Sequence, residues 1–468
     1  MDLTTLTISE AADTLRRGEV SAEAFAEALL AKAAQGAGLN AFIHHDPAQV
    51  RADARAADAA RARSAPLGAL HGIPLALKDN LDTAAMATTG GTPGLRGHRP
   101  ANNGAVVQKL LDAGAIVFGK TNLHELAYGI TNNNAAFGAA RNPYDPKRIP
   151  GASSGGVGVA VAARMAPGGI GSDTGGSVRI PAALCGIVGF RPTTGRWSQA
   201  GIVPISHTRD TAGPMTRSVA DCVLLDGVVT GSTAGPAVTL KGLRLGVPRG
   251  HFWAPLDAEV ARLMESVLAA LREAGAVLVE ADIPDVGRLD NEAGFPIALY
   301  ETVVDLDAYL ADHGSPLRYA QLVAQCASPD VAGLLQSLHG AGAIPEAAYR
   351  HALTVLRPQL QAAYRDHFAR HDVAAIVFPT TPLAAATIGD DETVELNGER
   401  VPTFATFIRN TSPGSVAGIP GISLPAAMTK NGLPLGLELD GPEGSDARLL
   451  QVAQAVEAML PKLPAPRA

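Results

Sequence analysis

The sequence predicts an α/β fold formed as a single domain over residues 1–468. Three observations carry that prediction. Short apolar runs alternate with helix-period segments from Ile73 onward, the pattern of strands joined through helices. The runs lack polar alternation, so the strands they form are covered on both faces. Strand-like runs then return late in the chain, after a long helical stretch, where they can rejoin the first sheet.

Thr7 and Glu10 have capping-box spacing ahead of AADTLRR, and Ser21 is placed to cap a second helix with Phe25, Leu29 and Leu30 on its apolar face. Residues 47–63, rich in Ala, Arg and Asp, read as a solvated third helix, and the composition changes at Pro66. PLAL (74–77) reads as a strand running into Lys78. A helix near 104–113, the strand AIVFG (115–119), a short helix in NLHELA (122–127) and a helix after Gly156 follow. A lysine closing a strand of an open sheet sits near the sheet's carboxyl edge, where such folds carry their sites. The less glycine-rich half from Lys241 opens with a strand in LRLGVP (243–248), a long helix over 257–274 and a strand in AVLVEADIP (276–284). Residues 290–370 read as mostly helical. VAAIVFPT (373–380), GISLPAAM (421–428) and GLPLGLELDG (432–441) read as strands before a last helix near 445–460.

Composition excludes several classes of function. The formal charge of −7, with Lys and Arg scattered, leaves no basic stripe for a nucleic-acid backbone. No run is long enough to span a bilayer, and the N-terminus lacks a basic start followed by an apolar run, so a cytoplasmic protein is expected. Cys185, Cys222 and Cys326 have no metal-type spacing and suit a reducing compartment. HELAY (124–128) ends in Tyr128 rather than the histidine of a zinc motif, and no phosphate-binding G-x-x-x-x-G-K-[ST] occurs, so neither metal nor cofactor is expected.

Chemistry concentrates between Gly151 and Phe190, where glycine clusters around Ser153 and Ser177 flank an apolar segment of helix length. In GSDTGGSVRIPA the backbone N–H groups of Thr174, Gly175, Gly176 and Ser177 can converge on one oxygen, as in an oxyanion hole. The plainer alternative is a glycine turn with Ser177 as a helix N-cap. Gly151 to Gly155 match G-x-S-x-G, so Ser153 reads either as an N-cap, as a partner of Ser177, or as a nucleophile at an elbow. The elbow requires an Asp and then a His downstream. His207 and His251 lie in no distinctive context, and an HGGG-type loop is missing. Lys78 reads either as a snorkelling side chain paired with Asp79 or as a base. A base must be neutral, and moving a lysine from about 10.4 to near 7 takes roughly 4 to 5 kcal/mol of destabilisation of its charged form, which burial can supply.

Taken together, HGIPLALKDN, GKTNLHELAYG, FGAARNPYDP, PGASSGG, GSDTGGSVRIPAALCG, GFRPTTGR and NTSPGSVAGIPGISLP resemble the amidase signature family over nearly the whole chain. The resemblance implies a large mixed central β-sheet covered by helices on both faces. It divides the chain into N-terminal helices (1–65), a signature core (66–235) and the remainder of the sheet with its covering helices (236–468). It implies a Ser, cis-Ser, Lys triad in which Ser177 is the nucleophile, Ser153 the relay and Lys78 the base. Thr174, Gly175, Gly176 and Ser177 supply the oxyanion hole, Ser154 bonds within the site, and Asp173 and Arg179 brace the nucleophile loop. Ala152 departs from the family, which usually has glycine there. Family members are often dimers, so a homodimer is consistent with the resemblance.

The acyl pocket is expected from the segment between Lys120 and Gly138, with Tyr128, Gly129, Ile130 and Thr131, running on to Asn132, as its residues. Tyr128 reads equally as a packed helix-end residue. The run 189–210 is similar to the indoleacetamide and mandelamide hydrolases of the family, which implies a small aryl-substituted amide as the partner molecule. A broader amidase, esterase, carbamate or anilide hydrolase would share the same three residues. Two further alternatives are the amidase subunit of a tRNA-dependent amidotransferase, recognised by its need for partners, and a silent binding protein, disfavoured because all three residues are present.

Overall fold

Eleven strands drawn from both halves of the chain join in one mixed sheet in the computed structural model, which describes residues 2–63 and 66–466. The boundary expected at residue 65, and the extreme ends of the domain expected over 1–468, therefore lie outside the described residues. In chain order the strands begin with β1 (Phe42–His44), β2 (Pro74–Lys78), β3 (Ile116–Thr121), β4 (Gly168–Asp173), β5 (Val188–Arg191) and β6 (Thr211–Thr216). The later half adds β7 (Arg244–Val247), β8 (Val277–Glu280), β9 (Ala375–Pro379), a separate hairpin of β10 (Thr393–Leu396) and β11 (Glu399–Pro402), then β12 (Gly421–Met428) and β13 (Pro434–Asp440).

The sheet order is β1-β3-β2-β4-β6-β5-β12-β13-β9-β7-β8. Parallel pairs lie at β3-β2-β4 and at β9-β7-β8, and antiparallel pairs join the two groups through the middle. The late strands thus rejoin the first sheet, as the sequence predicts. Strands β2, β4, β5, β6, β9 and β13 are buried at every residue, which requires cover on both faces.

Most expected helices are present. Thr7 and Glu10 form the capping box of helix Ile8–Arg17, and Ser21 caps Ala22–Gln35, which buries Phe25, Leu29 and Leu30. Two expectations need correction. The first segment contributes β1 to the sheet as well as helices. NLHELA forms only a single 3-10 turn, Glu125–Ala127, because Leu126 and Ala127 take positive φ values of 49° and 67°. The sequence reading assigned no strand before Ser177, and the glycine-rich run there is the central strand β4.

Glycine is a poor strand former, and β4 has it for a packing reason. A Cβ on Gly169 would lie 2.5 Å from the Ala76 carbonyl oxygen, and one on Gly171 would lie 2.7 Å from Ser154 Oγ. The neighbouring strand and the first serine loop therefore approach the β4 backbone more closely than any side chain permits.

Candidate active site

Lys78 ends β2 and Asp173 ends β4, and these strands run parallel with Leu77 opposite Ile170. Their carboxyl ends therefore share one sheet edge. The Ser177 turn leaves that edge between β4 and the helix Arg179–Cys185. The Ser153 loop leads into the helix Gly155–Ala162, which packs against β4 and β2. Three glycines or serines in each loop, Gly151, Ser153 and Ser154 in the first and Gly175, Gly176 and Ser177 in the second, allow the two loops to meet. The Ser154 amide donates to the Ser177 carbonyl at 3.1 Å, tying them together.

Lys78 is fully buried. Its Nζ donates to Ser153 Oγ at 2.7 Å, to Ser172 Oγ at 2.9 Å and to the Ser172 carbonyl at 3.3 Å. No carboxylate among the described residues is in contact with it. Burial pushes its pKa down to about 7, with Asp173 and Asp210 pulling the other way from a distance. The ammonium is therefore readily lost near neutrality. The peptide bond between Ala152 and Ser153 is cis, and the Ala152 methyl is fully buried.

Neither serine is an N-cap. The helix after the first cluster begins at Gly155 with Ser154 at the capping position, but Ser154 Oγ instead donates to the Ser172 carbonyl at 3.2 Å. The helix after the second cluster begins at Arg179, two residues beyond Ser177. Ser177 Oγ makes no hydrogen bond to a described residue and opens into a cavity of about 320 Å³. The elbow alternative is not met either: Ser153 follows a loop rather than a strand. His207 pairs with Asp305, His251 meets the Arg409 carbonyl, and His124 meets Asp330 and the Asn132 amide. No histidine ring reaches either serine among the described residues.

Of the four amides expected to bind an oxyanion, that of Gly176 is already committed, donating to Asp173 Oδ1 at 2.8 Å. Those of Thr174, Gly175 and Ser177 have no acceptor among the described residues, and all three residues line the cavity beside Ser177 Oγ. Gly176 therefore holds the loop in shape while its neighbours present donors. The same carboxylate accepts from the Val178 amide at 3.1 Å and from Arg179 Nε at 3.1 Å. Burial alone would raise the Asp173 carboxyl, but Arg179 and Arg191 outweigh it and hold it well below the usual carboxylate range. Asp173 and Arg179 are buried beneath the loop and do not line the cavity.

Tyr128, Gly129, Ile130 and Thr131 all line the cavity. Tyr128 is also packed, its hydroxyl 2.5 Å from Thr302 Oγ1, so both readings of it hold at once. Asn132 does not line the cavity; its Oδ1 accepts from the Gly155 amide at 3.1 Å and steadies the first serine loop. The remaining wall is contributed by residues distant in sequence, including Ile205, Arg209, Asp290, Phe295, Phe404 and Ile408.

Several residues had no readable signal in the sequence. Ser172 and Asn80 complete the surroundings of Lys78, with Asn80 Nδ2 donating to Ser172 Oγ at 2.9 Å. Asp210 accepts from Thr174 Oγ1 at 2.6 Å, and Thr411 Oγ1 donates to the Gly175 carbonyl at 2.7 Å, fixing the nest from two sides. Arg191 joins Arg179 on Asp173 at 3.1 Å. The segments GFRPTTGR and NTSPGSVAGIPGISLP, noted for resemblance alone, supply Arg191 and Thr411. Two clusters, Asp82 with His98 and His313, and His207 with Glu301 and Asp305, bring possible metal ligands within 4.8 Å of one another. Neither lines the cavity. Among the described residues no helix is long and apolar enough to cross a membrane.

A family model described as Amidase matches residues 24–450. The chain is 45% identical over 451 residues to an indoleacetamide hydrolase of Agrobacterium vitis, covering 96% of each chain. It is 40% identical over 479 residues to a mandelamide hydrolase of Pseudomonas putida, covering 98% of this chain and 92% of that one. The solved structure of the native peptide amidase from Stenotrophomonas maltophilia superposes with a TM-score of 0.84 at 32% identity, covering 99% of this chain and 98% of the other.

Proposed function

This chain belongs to the amidase family, and from that premise we propose that it hydrolyses a small aryl-substituted amide, indoleacetamide-like, to a carboxylate and ammonia through an acyl-enzyme on Ser177. The observation that carries the reading is the buried Lys78 Nζ, 2.7 Å from Ser153 Oγ and free of any contacting carboxylate, behind a cavity into which Ser177 opens.

In this reading Ser177 Oγ attacks the amide carbon, its proton passing by way of Ser153 to neutral Lys78. The carbonyl oxygen becomes an oxyanion held by the amides of Thr174, Gly175 and Ser177, donors already in place before charge develops. As the C–N bond breaks, Lys78 and Ser153 return the proton to nitrogen, and ammonia leaves. Water then attacks the acyl carbon, regenerating Ser177 and releasing the carboxylate. Asp173, Arg179 and Ser154 act by holding the loops. The apolar walls of the cavity, from Ile130, Ile205, Phe295, Phe404 and Ile408, suit an aromatic ring.

The relatives' names favour this reading over an amidotransferase subunit and over ester, carbamate or anilide hydrolysis. A cytoplasmic homodimer that binds no nucleic acid is the accompanying expectation; light scattering on the purified chain tests the assembly. The direct experiment on the reaction is ammonia release from indole-3-acetamide by the purified single chain, with Ser177→Ala as control. Release that the control abolishes is expected. Release that persists in the control removes Ser177 as the nucleophile, and no release on any aryl amide removes the substrate class.

A further inference from the structure

Beneath the Ser177 turn lies a cluster of charges with one carboxyl group too many. Side chains alternate along β13, so Glu438 and Asp440 share one face, and that face meets Arg179. Arg191 and Asp173 complete the cluster, and all five side chains are fully buried. Three carboxyl groups therefore face two guanidinium groups away from solvent, where an unmatched charge is costly.

The hydrogen bonds show which carboxyl is in excess. Arg179 gives Nε and Nη2 to Asp173 at 3.1 Å and 3.2 Å, and Nη1 to Glu438 Oε1 at 3.0 Å. Arg191 Nη1 donates to Asp173 Oδ1 at 3.1 Å, and its Nη2 goes to Thr194 Oγ1 and to the Arg209 carbonyl. Among the described residues Asp440 receives nothing: both its oxygens are buried without a hydrogen bond, and Arg179 Nη1 stands 3.8 Å away. Glu438 Oε2 is buried without one as well, and the neighbouring Thr380 hydroxyl is paired with Ser423 Oγ at 2.7 Å.

Glycine surrounds the Asp440 carboxyl where a donor could have stood. A Cβ at Gly414 would lie 2.5 Å from Asp440 Oδ2. One at Gly421, opposite Asp440 in the β12-β13 register, would meet Asp440 Oδ1, and Glu438 Oε1 at 3.0 Å. The two carboxyls thus converge on one point. The remaining titratable neighbour is Tyr364, whose hydroxyl is buried without a partner and is pushed well up by burial and then by Asp440. Burial raises both carboxyls and Arg179 opposes it at both, but only Glu438 has Arg179 in hydrogen-bond contact. A protonated Asp440 is a donor, the bare Glu438 Oε2 is an acceptor, and two anions then match two cations.

We propose that Asp440 carries a proton shared with Glu438 and, acting through Glu438, Arg179 and Asp173, is a positioning residue for the Ser177 turn. This inference rests on the reading of Ser177 as the attacking group. Asp173 holds the turn by accepting from the Gly176 and Val178 amides, and it keeps its shape by keeping Arg179. A charged Asp440 would compete with Asp173 for that guanidinium. A neutral one ties Glu438 in place and leaves Arg179 divided between its two partners.

Two measurements on the full-length protein test this. The first reads the proton. An acid that is protonated in the folded chain and ionised in the unfolded one makes stability fall as pH rises above about 4. Urea unfolding from about pH 5 to about pH 8 is expected to show the unfolding constant of wild type rising about tenfold per pH unit relative to Asp440→Asn, which stays neutral. Parallel pH dependences overturn the proposal, with or without amidase activity.

The second reads positioning, by steady-state kinetics on an aryl amide. Asp440→Asn still donates to Glu438 and is expected to keep kcat within about threefold of wild type. Asp440→Leu cannot donate, and kcat is expected to fall about tenfold or more with KM little changed, because a slack nest loses the oxyanion rather than the bound amide. Full activity in folded Asp440→Leu, or equal losses in the two variants, overturns the positioning role. A loss above about tenfold in folded Asp440→Asn overturns it too, so the test does not depend on the leucine variant folding. Absence of hydrolysis in the wild type overturns the amidase reading and the positioning role with it, while the unfolding measurement still decides the proton.

Discussion

Two lysines stand side by side at the carboxyl edge of the sheet, and their surroundings are opposite. Lys78 ends β2, and Lys120 lies next to the end of β3, with Leu77 opposite Lys120 in the parallel register. Both are fully buried. Lys120 forms an ion pair with Asp79 at 3.0 Å and donates to the Leu81 carbonyl at 2.8 Å, the Ala87 carbonyl at 3.1 Å and Thr88 Oγ1 at 2.9 Å. Lys78 has two hydroxyls and one carbonyl and, among the described residues, no counter-ion in contact. Burial pushes both ammonium groups down, but only Lys120 has a contacting carboxylate to oppose it. A buried lysine is thus a strut or a proposed base according to where the nearest carboxylate sits. Here Asp79, adjacent to Lys78 in sequence, turns to the other strand.

The largest effect expected from this contrast is on rate. Lys78→Ala removes the proposed base and is expected to lower kcat by at least about 10³-fold, with the far-ultraviolet circular dichroism spectrum unchanged. Steady-state kinetics on the aryl amide that the wild type hydrolyses checks it. Activity within tenfold of wild type would make Lys78 a second strut and erase the contrast.

Much of this site was legible in the sequence because its chemistry is local. Lys78, Ser153 and Ser177 each sit in a glycine-rich or strand-end context, and their order along the chain carried the resemblance. The partner of Asp79 was not legible. Adjacency suggested Lys78, but successive side chains on a strand point to opposite faces, and which lysine crosses to Asp79 depends on the β2-β3 register. Strand β4 was missed because glycine argues against strands unless close packing demands it, and the demanding atoms, the Ala76 carbonyl and Ser154 Oγ, are distant in sequence. The helical reading of NLHELA failed because positive φ at Leu126 and Ala127 is set by the surrounding packing, not by propensity.

The second effect is on stability. Lys120→Met leaves Asp79 buried with only Thr89 for company and is expected to cost about 3 to 5 kcal/mol, measured by urea unfolding at pH 7. Lys78→Met strips no counter-ion and is expected to cost far less, or to stabilise. The pH dependence has a definite sign. Because the folded-state pKa of Lys78 lies near 7, below the ordinary 10.5, the unfolded chain binds more protons between those values. Wild type should therefore gain stability relative to Lys78→Met as pH rises from about 7 toward 10.5. Equal costs for the two substitutions at pH 7 would mean that the ion pair with Asp79 does not distinguish the lysines.

The smallest effect concerns how finely Lys78 is set. Ser172 Oγ accepts from Lys78 Nζ and from Asn80 Nδ2, each at 2.9 Å, so it faces the lysine as an acceptor. An acceptor is worth more to a charged donor than to a neutral one and holds the ammonium form in place. Ser172→Ala removes that support while leaving Ser153 and its 2.7 Å contact with Lys78 in place. The pKa of Lys78 should fall, and the rising limb of kcat/KM against pH should move to lower pH by about half a unit to one unit, with kcat at pH 8 changed less than severalfold. A limb that moves upward would mean that Ser172 opposes the charged form, and an unmoved limb would mean that the ionisation controlling the rate does not belong to Lys78.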